Sequence, residues 1–331
     1  MALNTDELNS RKTIREIPKQ FAIGLESAKD IKIKGNFNKL LVCAMGGSAL
    51  PAGILEMVFQ DLKIKLPIYI HRNYNLPSFA DKNSLIICIS YSGNTGETLS
   101  SFKQAVKKNL PLAAICSGGK LAQLCQKHKI PFALVPIGYQ PRMALAFQFS
   151  ALIKILKNSQ LIKINLKNLS GLEKTLKPES LGKKGKTIAS ALADKIPVIY
   201  TSDKLKNLAL IWKNKINETA KTLAIMNSFP ELNHNEMTGF TKPQGKFHVV
   251  LLRDLSDHPK ILKRMEMTVK IIKNKGVAVN IVDLKGKDVF SKIFSGIILA
   301  DWVSHYLASI YKVSPISVQL QEDFKKKMNE S

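Results

Sequence analysis

The chain alternates short, continuous apolar runs with longer segments in which apolar residues recur every three or four positions. In the first half, residues 40–45, 66–70, 85–90, 112–116 and 131–136 read as strands. Residues 49–60 and 97–109 read as helices, the first with Pro51 near its opening turn, where a missing N–H is harmless. Strands that are apolar throughout, rather than at every second position, are covered on both faces, and helical spacers between them make the sheet parallel. A helix is predicted from about residue 142 to 158, then a Lys-, Asn- and Ser-rich connecting helix or linker to residue 186. The rhythm restarts with strands at 198–200, 247–252 and 277–282 and helices at 205–222 and 289–311. The expected fold is α/β, with two similar domains at 1–155 and 156–331, each a mainly parallel sheet flanked by helices. A length of 331 residues suits two domains of roughly 100–200 residues each.

Composition narrows this picture. Apolar residues make up 45% of the chain, too many for a disordered protein. Four cysteines in so long a chain are no disulfide framework, and Cys43, Cys88 and Cys116 lie in or beside strand-like runs, where a thiol packs as a small hydrophobe. That usage fits a reducing compartment. Residues 1–12 have no apolar signal region, and the most apolar long stretch, 294–311, carries Asp301 and His305 and reads as a buried helix. The expected location is the cytoplasm, with no membrane partner. Lys and Arg number 50 against 25 Asp and Glu, a net charge of +25. The lysines are spread along the chain, with short clusters only at 183–186 and 325–327. A solvated basic surface explains them better than a specific nucleic-acid site, and such a surface also steers anionic metabolites.

Candidate chemistry concentrates in turns that follow strands. Ser90-Tyr91-Ser92-Gly93-Asn94-Thr95 joins a buried strand to a helix. In a parallel sheet that turn lies at the carboxyl edge, where ligands bind. Unpaired N–H groups and the positive end of a helix dipole suit phosphate there, and Ser90, Ser92 and Thr95 add hydroxyls. The same residues also suit an ordinary capped turn, and the loop alone does not choose. Gly46-Gly47-Ser48 follows the first strand and would let a sugar lie against the main chain. It is neither a P-loop nor a dinucleotide fingerprint. The histidines form no metal-ligand cluster, so no metal is expected.

Met45-Gly46-Gly47-Ser48, the Ser90–Thr98 run, Pro141-Arg142, Asn217-Glu218 and Glu231-Leu232-Asn233-His234-Asn235-Glu236 occur in this order. Together they resemble the bifunctional phosphoglucose/phosphomannose isomerase family, built from two sugar isomerase (SIS) domains. The resemblance runs from about residue 20 to the C-terminus. It implies reversible aldose–ketose isomerisation of glucose 6-phosphate, and of mannose 6-phosphate, to fructose 6-phosphate through a cis-enediolate. It assigns Glu218 as the base, Arg142 as the charge against the enediolate oxygen, and His234 as the group for ring opening. By the same resemblance His234 comes from the partner of a homodimer. Lys325 best matches a C-terminal lysine that assists at the ring oxygen. Ser48, Ser90, Ser92 and Thr95 would hold the phosphate, with Gly46 and Gly47 against the sugar. Two departures stand out: Lys312-Val313-Ser314-Pro315 where a Val-Asp-Pro turn is usual, and Lys221-Thr222-Leu223-Ala224 without the Pro expected there. The alternative is a SIS-type regulator that binds a sugar phosphate without turning it over.

Overall fold

A computed structural model describes residues 5–330. The chain divides into two compact units, Glu16–Leu176 and Met1–Arg15 with Lys177–Ser331. Helix α1 (Thr5–Ser27) supplies residues to both.

In the first unit the order is β1 (Lys39–Ala44), α2 (Gly46–Met57), β2 (Ile68–His71), β3 (Ser84–Ser90), α3 (Gly96–Lys107), β4 (Leu112–Cys116), α4 (Gly119–His128), β5 (Phe132–Leu134) and α5 (Leu145–Asn158). A 3-10 turn, Pro141–Met143, precedes α5, and two short helices, α6 (Lys167–Ser170) and α7 (Leu172–Thr175), end the unit. The five strands run in the order β2-β1-β3-β4-β5, all parallel. All seven residues of β3 are buried, as its uninterrupted apolar run requires of a strand covered on both faces. The cysteines are free thiols inside this unit. Cys43 and Cys88 are register partners on β1 and β3, and the Cys88 thiol is pushed well up, first by its hydrogen bond with Cys43 and then by burial.

The second unit contains α8 (Pro178–Leu192), β6 (Ile196–Ser202), α9 (Lys206–Ala220), β7 (Ile225–Phe229), α10 (Glu236–Gly239), β8 (Phe247–Arg253), α11 (Pro259–Asn274), β9 (Ala278–Asp283), α12 (Val289–Ile310) and α13 (Gln319–Glu330). Its strands lie in the order β7-β6-β8-β9, again all parallel. The fold is therefore α/β with parallel sheets flanked by helices. Strand β7 was not foreseen: Asn227 and Ser228 interrupt its apolar pattern, and its position at the sheet edge leaves three of its residues partly open.

Helix α12 is long and apolar enough to cross a membrane, yet it is mostly buried, packed against α8 and α9. It carries Asp301, which forms a salt bridge with Lys215 of α9; both side chains are about fully buried. Breaking such a pair leaves one buried charge uncompensated, at about 3–5 kcal/mol. This ties α9 to the core of its unit one turn before Glu218.

The amino end of α1 packs on α12 through polar groups. Arg11 Nε donates to His305 Nε2 at 3.2 Å, and the other ring nitrogen lies 3.1 Å from Ser10 Oγ. Neutral imidazole with its proton on Nδ1 satisfies both contacts. Burial, and then the Arg11 charge, push His305 down to about 4. The unfolded chain thus binds a proton that the folded chain refuses between about pH 6.5 and 4, so stability falls as pH drops through that window, by up to about 3 kcal/mol. Denaturant titrations at pH 7 and pH 4.5 check this: His305→Asn should flatten the pH dependence, and an unchanged slope would contradict it.

Candidate functional site

In the first unit β1 is the first strand, with β2 on one side and β3 on the other, so the chain reverses direction across the sheet between β1 and β3. Ligands bind at the carboxyl edge of such a switch point. Gly46-Gly47-Ser48 follows β1, and Ser90–Thr95 follows β3, so both turns border one crevice. Helices α2 and α3 both begin there. The residues before them, Met45 and Thr95, make no side-chain capping bond. At α2, which has no acidic residue in its first turn, the N–H groups carry the positive end of the dipole and favour an anion; α3 has Glu97 in its first turn, which offsets part of its dipole. Thr95 does not cap because its hydroxyl is 2.8 Å from Ser90 Oγ.

Close backbone packing fixes the crevice. A Cβ on Gly93 would lie 1.9 Å from the Gly118 carbonyl oxygen, and Gly93 has φ +68°. Only glycine allows the Ser90–Thr95 turn to seat against the turn that follows β4. A Cβ on Gly47 would lie 2.7 Å from the Arg142 amide nitrogen and 2.8 Å from the Pro141 carbonyl carbon. The start of α2 and the Pro141–Met143 turn thus touch main chain to main chain. Arg142 is 1% exposed, so it is no surface cation.

Not every hydroxyl of the crevice faces outward. Ser48 is buried, and its Oγ accepts the Tyr91 amide at 2.9 Å, so it joins the two turns. Tyr91 itself is a brace: its hydroxyl donates to the Pro136 carbonyl at 2.8 Å and accepts from the Tyr139 amide at 3.0 Å. Ser90 is fully buried, whereas Ser92 is exposed and its Oγ accepts from the Asn94 amide at 3.3 Å. Gly46, at φ +49°, is open to solvent. The Gly118-Gly119 turn was missed as part of this edge, although its glycine pair directly after a strand was a readable signal.

The second unit repeats the strand order, but its switch point is built differently. After β8, Asp254 forms a salt bridge with Lys292 at 2.8 Å and accepts from the Ser256 amide at 3.0 Å. A carboxylate already occupies the cation there, and its charge opposes a bound phosphate.

Glu218, His234 and Lys325 belong to this second unit. Glu218 is half-buried in the last turn of α9. Lys221 ends the helix in left-handed conformation and donates to the main-chain carbonyls of Glu218 and Ser314, both at 2.7 Å. Asn217 Oδ1 accepts the Ala224 amide at 2.9 Å. Glu218 lines a cavity of about 550 Å³ with Asn217, Thr222, Leu223 and the segment leading into α13. Lys325 lies further along α13 and is not among the residues lining this cavity; it is exposed, as are Leu320, Phe324 and Met328, which form one apolar stripe at a four-residue spacing. His234 is exposed at the end of a 3-10 turn, Glu231–Asn233. Among the described residues, no group of three or more His, Cys, Asp or Glu is placed to hold a metal ion.

The fold is of the parallel α/β class, whose carboxyl edges bind small ligands, and comparison with known proteins narrows the class. Residues 182–328 match the family model described as the bacterial phospho-glucose isomerase C-terminal SIS domain. A bifunctional phosphoglucose/phosphomannose isomerase of Caldicellulosiruptor bescii is 35% identical over 328 residues, covering 95% of this chain and 96% of that protein. The enzyme of the same name from Aquifex aeolicus is 33% identical, covering 88% and 91%. A solved structure of a hypothetical Thermus thermophilus protein superposes with a TM-score of 0.73 at 16% identity, covering 97% of this chain and 91% of that one. The chain belongs to the bifunctional phosphoglucose/phosphomannose isomerase family, and it is a sugar-phosphate isomerase.

If the Ser90–Thr95 crevice holds the anion, Gly93→Ala should weaken binding of inorganic phosphate at least tenfold, and should lower stability by about 1–3 kcal/mol through the clash with Gly118. Calorimetric titration with phosphate, beside a thermal melt, reads both. A lower melting point with unchanged phosphate affinity would move the anion elsewhere.

Proposed function

We propose that the chain interconverts glucose 6-phosphate and mannose 6-phosphate with fructose 6-phosphate through a cis-enediolate, in the cytoplasm, as a homodimer and without metal or cofactor. The phosphate sits at the crevice of the first unit, under the starts of α2 and α3, with Ser92 and Thr95 around it, Ser90 acting through the Thr95 hydroxyl, and Gly46 and Gly47 against the sugar. The observation that carries this is the pair of uncapped helix starts meeting at one switch point. The hydroxyl of Ser48 acts through Tyr91, by holding the turns together.

With the ring open, Glu218 takes the proton from C2. The electron pair of that C–H bond forms the C1=C2 double bond, and the former carbonyl oxygen O1 takes the negative charge. The carboxylic acid then returns the proton to C1 while the O2 proton passes to O1, leaving the ketone at C2. Glucose and mannose differ only in the configuration at C2, which the enediolate no longer holds, so one base serves both when rotation about C2–C3 turns the other face of the enediolate toward it. The fixed charge of Arg142 lies against the developing oxyanion, an effect realised in the transition state. His234 opens and closes the ring and carries the oxygen protons, since a histidine both donates and accepts near neutrality. Lys325 assists at the ring oxygen.

Two features support the homodimer with His234 supplied across its interface. His234 is exposed, and its ring makes no hydrogen bond among the described residues. Leu320 and Phe324 are exposed apolar residues on α13, 85% and 63% accessible.

A coupled assay with each sugar phosphate, in the presence of chelator, tests the reading. Glu218→Gln should keep KM within a few-fold and lose about 10²–10⁴-fold in kcat, the usual worth of a general base. Wild-type kcat in that variant would refute the assignment. Arg142→Ala should lower kcat more than it raises KM, and the reverse pattern would make Arg142 a ground-state binder.

A further inference from the structure

The segment that carries His234 is held from several sides. Phe229, Leu232 and Phe240 are buried in the core of the second unit. Asn233 Nδ2 donates to Thr268 Oγ1 of α11 at 2.8 Å, and Arg264 donates to Asn233 Oδ1 at 3.3 Å. Asn235 caps α10 by accepting the Glu236 amide at 2.6 Å, while its own amide group donates to Glu231 Oε1 at 2.6 Å.

Glu236 is the element of this arrangement with no role in the chemistry so far. One oxygen of its carboxylate accepts the Tyr200 hydroxyl at 2.5 Å, and the other accepts Asn227 Nδ2 at 2.7 Å. Tyr200 and Asn227 are direct register partners on β6 and β7. One carboxylate therefore straddles a paired position of the sheet, two residues beyond His234. Both donors are themselves fixed. Tyr200 is 1% exposed, with its ring against Phe229 and Phe240. Asn227 Oδ1 accepts the Ser228 amide at 2.7 Å, which turns its NH2 group toward Glu236. Charge-assisted bonds of this kind are about twice as strong as neutral ones. A glutamine could keep both contacts only with its oxygen on the Asn227 NH2 group and its NH2 group donating to the Tyr200 hydroxyl, and both bonds would lose the charge that strengthens them.

We propose that Glu236 is the positioning residue of the His234 turn: by bridging Tyr200 and Asn227 it pins the turn to β6 and β7 and fixes where the imidazole is presented. This rests on the reading of His234 as the proton carrier for the sugar oxygens. The surroundings are tied down by hydrogen bonds and packing while the His234 ring is exposed and makes no hydrogen bond among the described residues, the arrangement expected of a group held ready for a substrate.

A double-mutant cycle on the full-length protein tests it, with kcat, KM and melting temperature measured for Glu236→Ala, His234→Ala and the double variant. Glu236→Ala should lower kcat about tenfold or more with KM within about twofold. In the His234→Ala background the same change should cost less than about twofold, because a residue that acts through another has no effect once that other is gone. Tyr200→Phe, which keeps the ring and removes one donor, should lower kcat in the same direction by a smaller factor, and it reads the clamp even if Glu236→Ala does not fold. Independent, multiplicative losses, or wild-type kcat in Glu236→Ala or in Tyr200→Phe, would overturn the proposal while leaving His234 in its role. Wild-type kcat in His234→Ala would overturn the role of His234 itself, and the proposal with it.

Discussion

The contact on which the first unit depends is one of main chain against main chain. Gly47, at the start of α2, leaves room for the backbone of Arg142, and no residue with a side chain could stand there without pushing the two segments apart. That approach sets a buried arginine beside a helix start. A second contact of the same kind, Gly93 against Gly118, seats the Ser90–Thr95 turn. Ser48 then links the two turns by accepting the Tyr91 amide. An anion site made of backbone amides needs such rigidity, because its donors have no side-chain freedom with which to adjust. Preorganisation of this kind is what lets fixed dipoles stabilise charge as it develops.

The second unit shares the parallel architecture and uses it for other ends. Its switch point holds Asp254 and Lys292 in a salt bridge where the first unit presents hydroxyls and amides. Its polar resources go instead into holding helices and turns. The Lys215–Asp301 pair anchors α9 a turn before Glu218, and Lys221 satisfies carbonyls at the end of the same helix. Two similar sheets thus carry different polar arrangements at their carboxyl edges.

Much of this was legible in the sequence, for physical reasons. Strands β1, β3, β4 and β8 each contain a continuous apolar run (Leu40–Ala44, Leu85–Ile89, Leu112–Cys116 and Val249–Leu252), so their burial on both faces could be read directly. Strand β7 could not, because Ile225-Met226-Asn227-Ser228-Phe229 has no clean period and lies at an edge. The turns after β1 and β3 announced themselves through their glycines and hydroxyls. What the hydroxyls do was not readable: Ser48 faces Tyr91, and Thr95 faces Ser90. The partition of α1 was hidden too, since the groups that hold its amino end, Glu179, His305 and Ser309, lie far along the chain. Glu236 stood in plain sight at the end of the Glu231–Glu236 run, yet its partners come from strands distant in sequence.

The account stands on proton transfer between neighbouring carbons by one carboxylate. Running the isomerisation of glucose 6-phosphate in D2O and following C1 and C2 by NMR tests this most directly. An enediolate formed by an exchanging carboxylic acid predicts deuterium at these carbons after many turnovers. Product that stays free of deuterium at both carbons through extended equilibration would mean that hydrogen migrates without ever residing on a protein base, and would contradict the account.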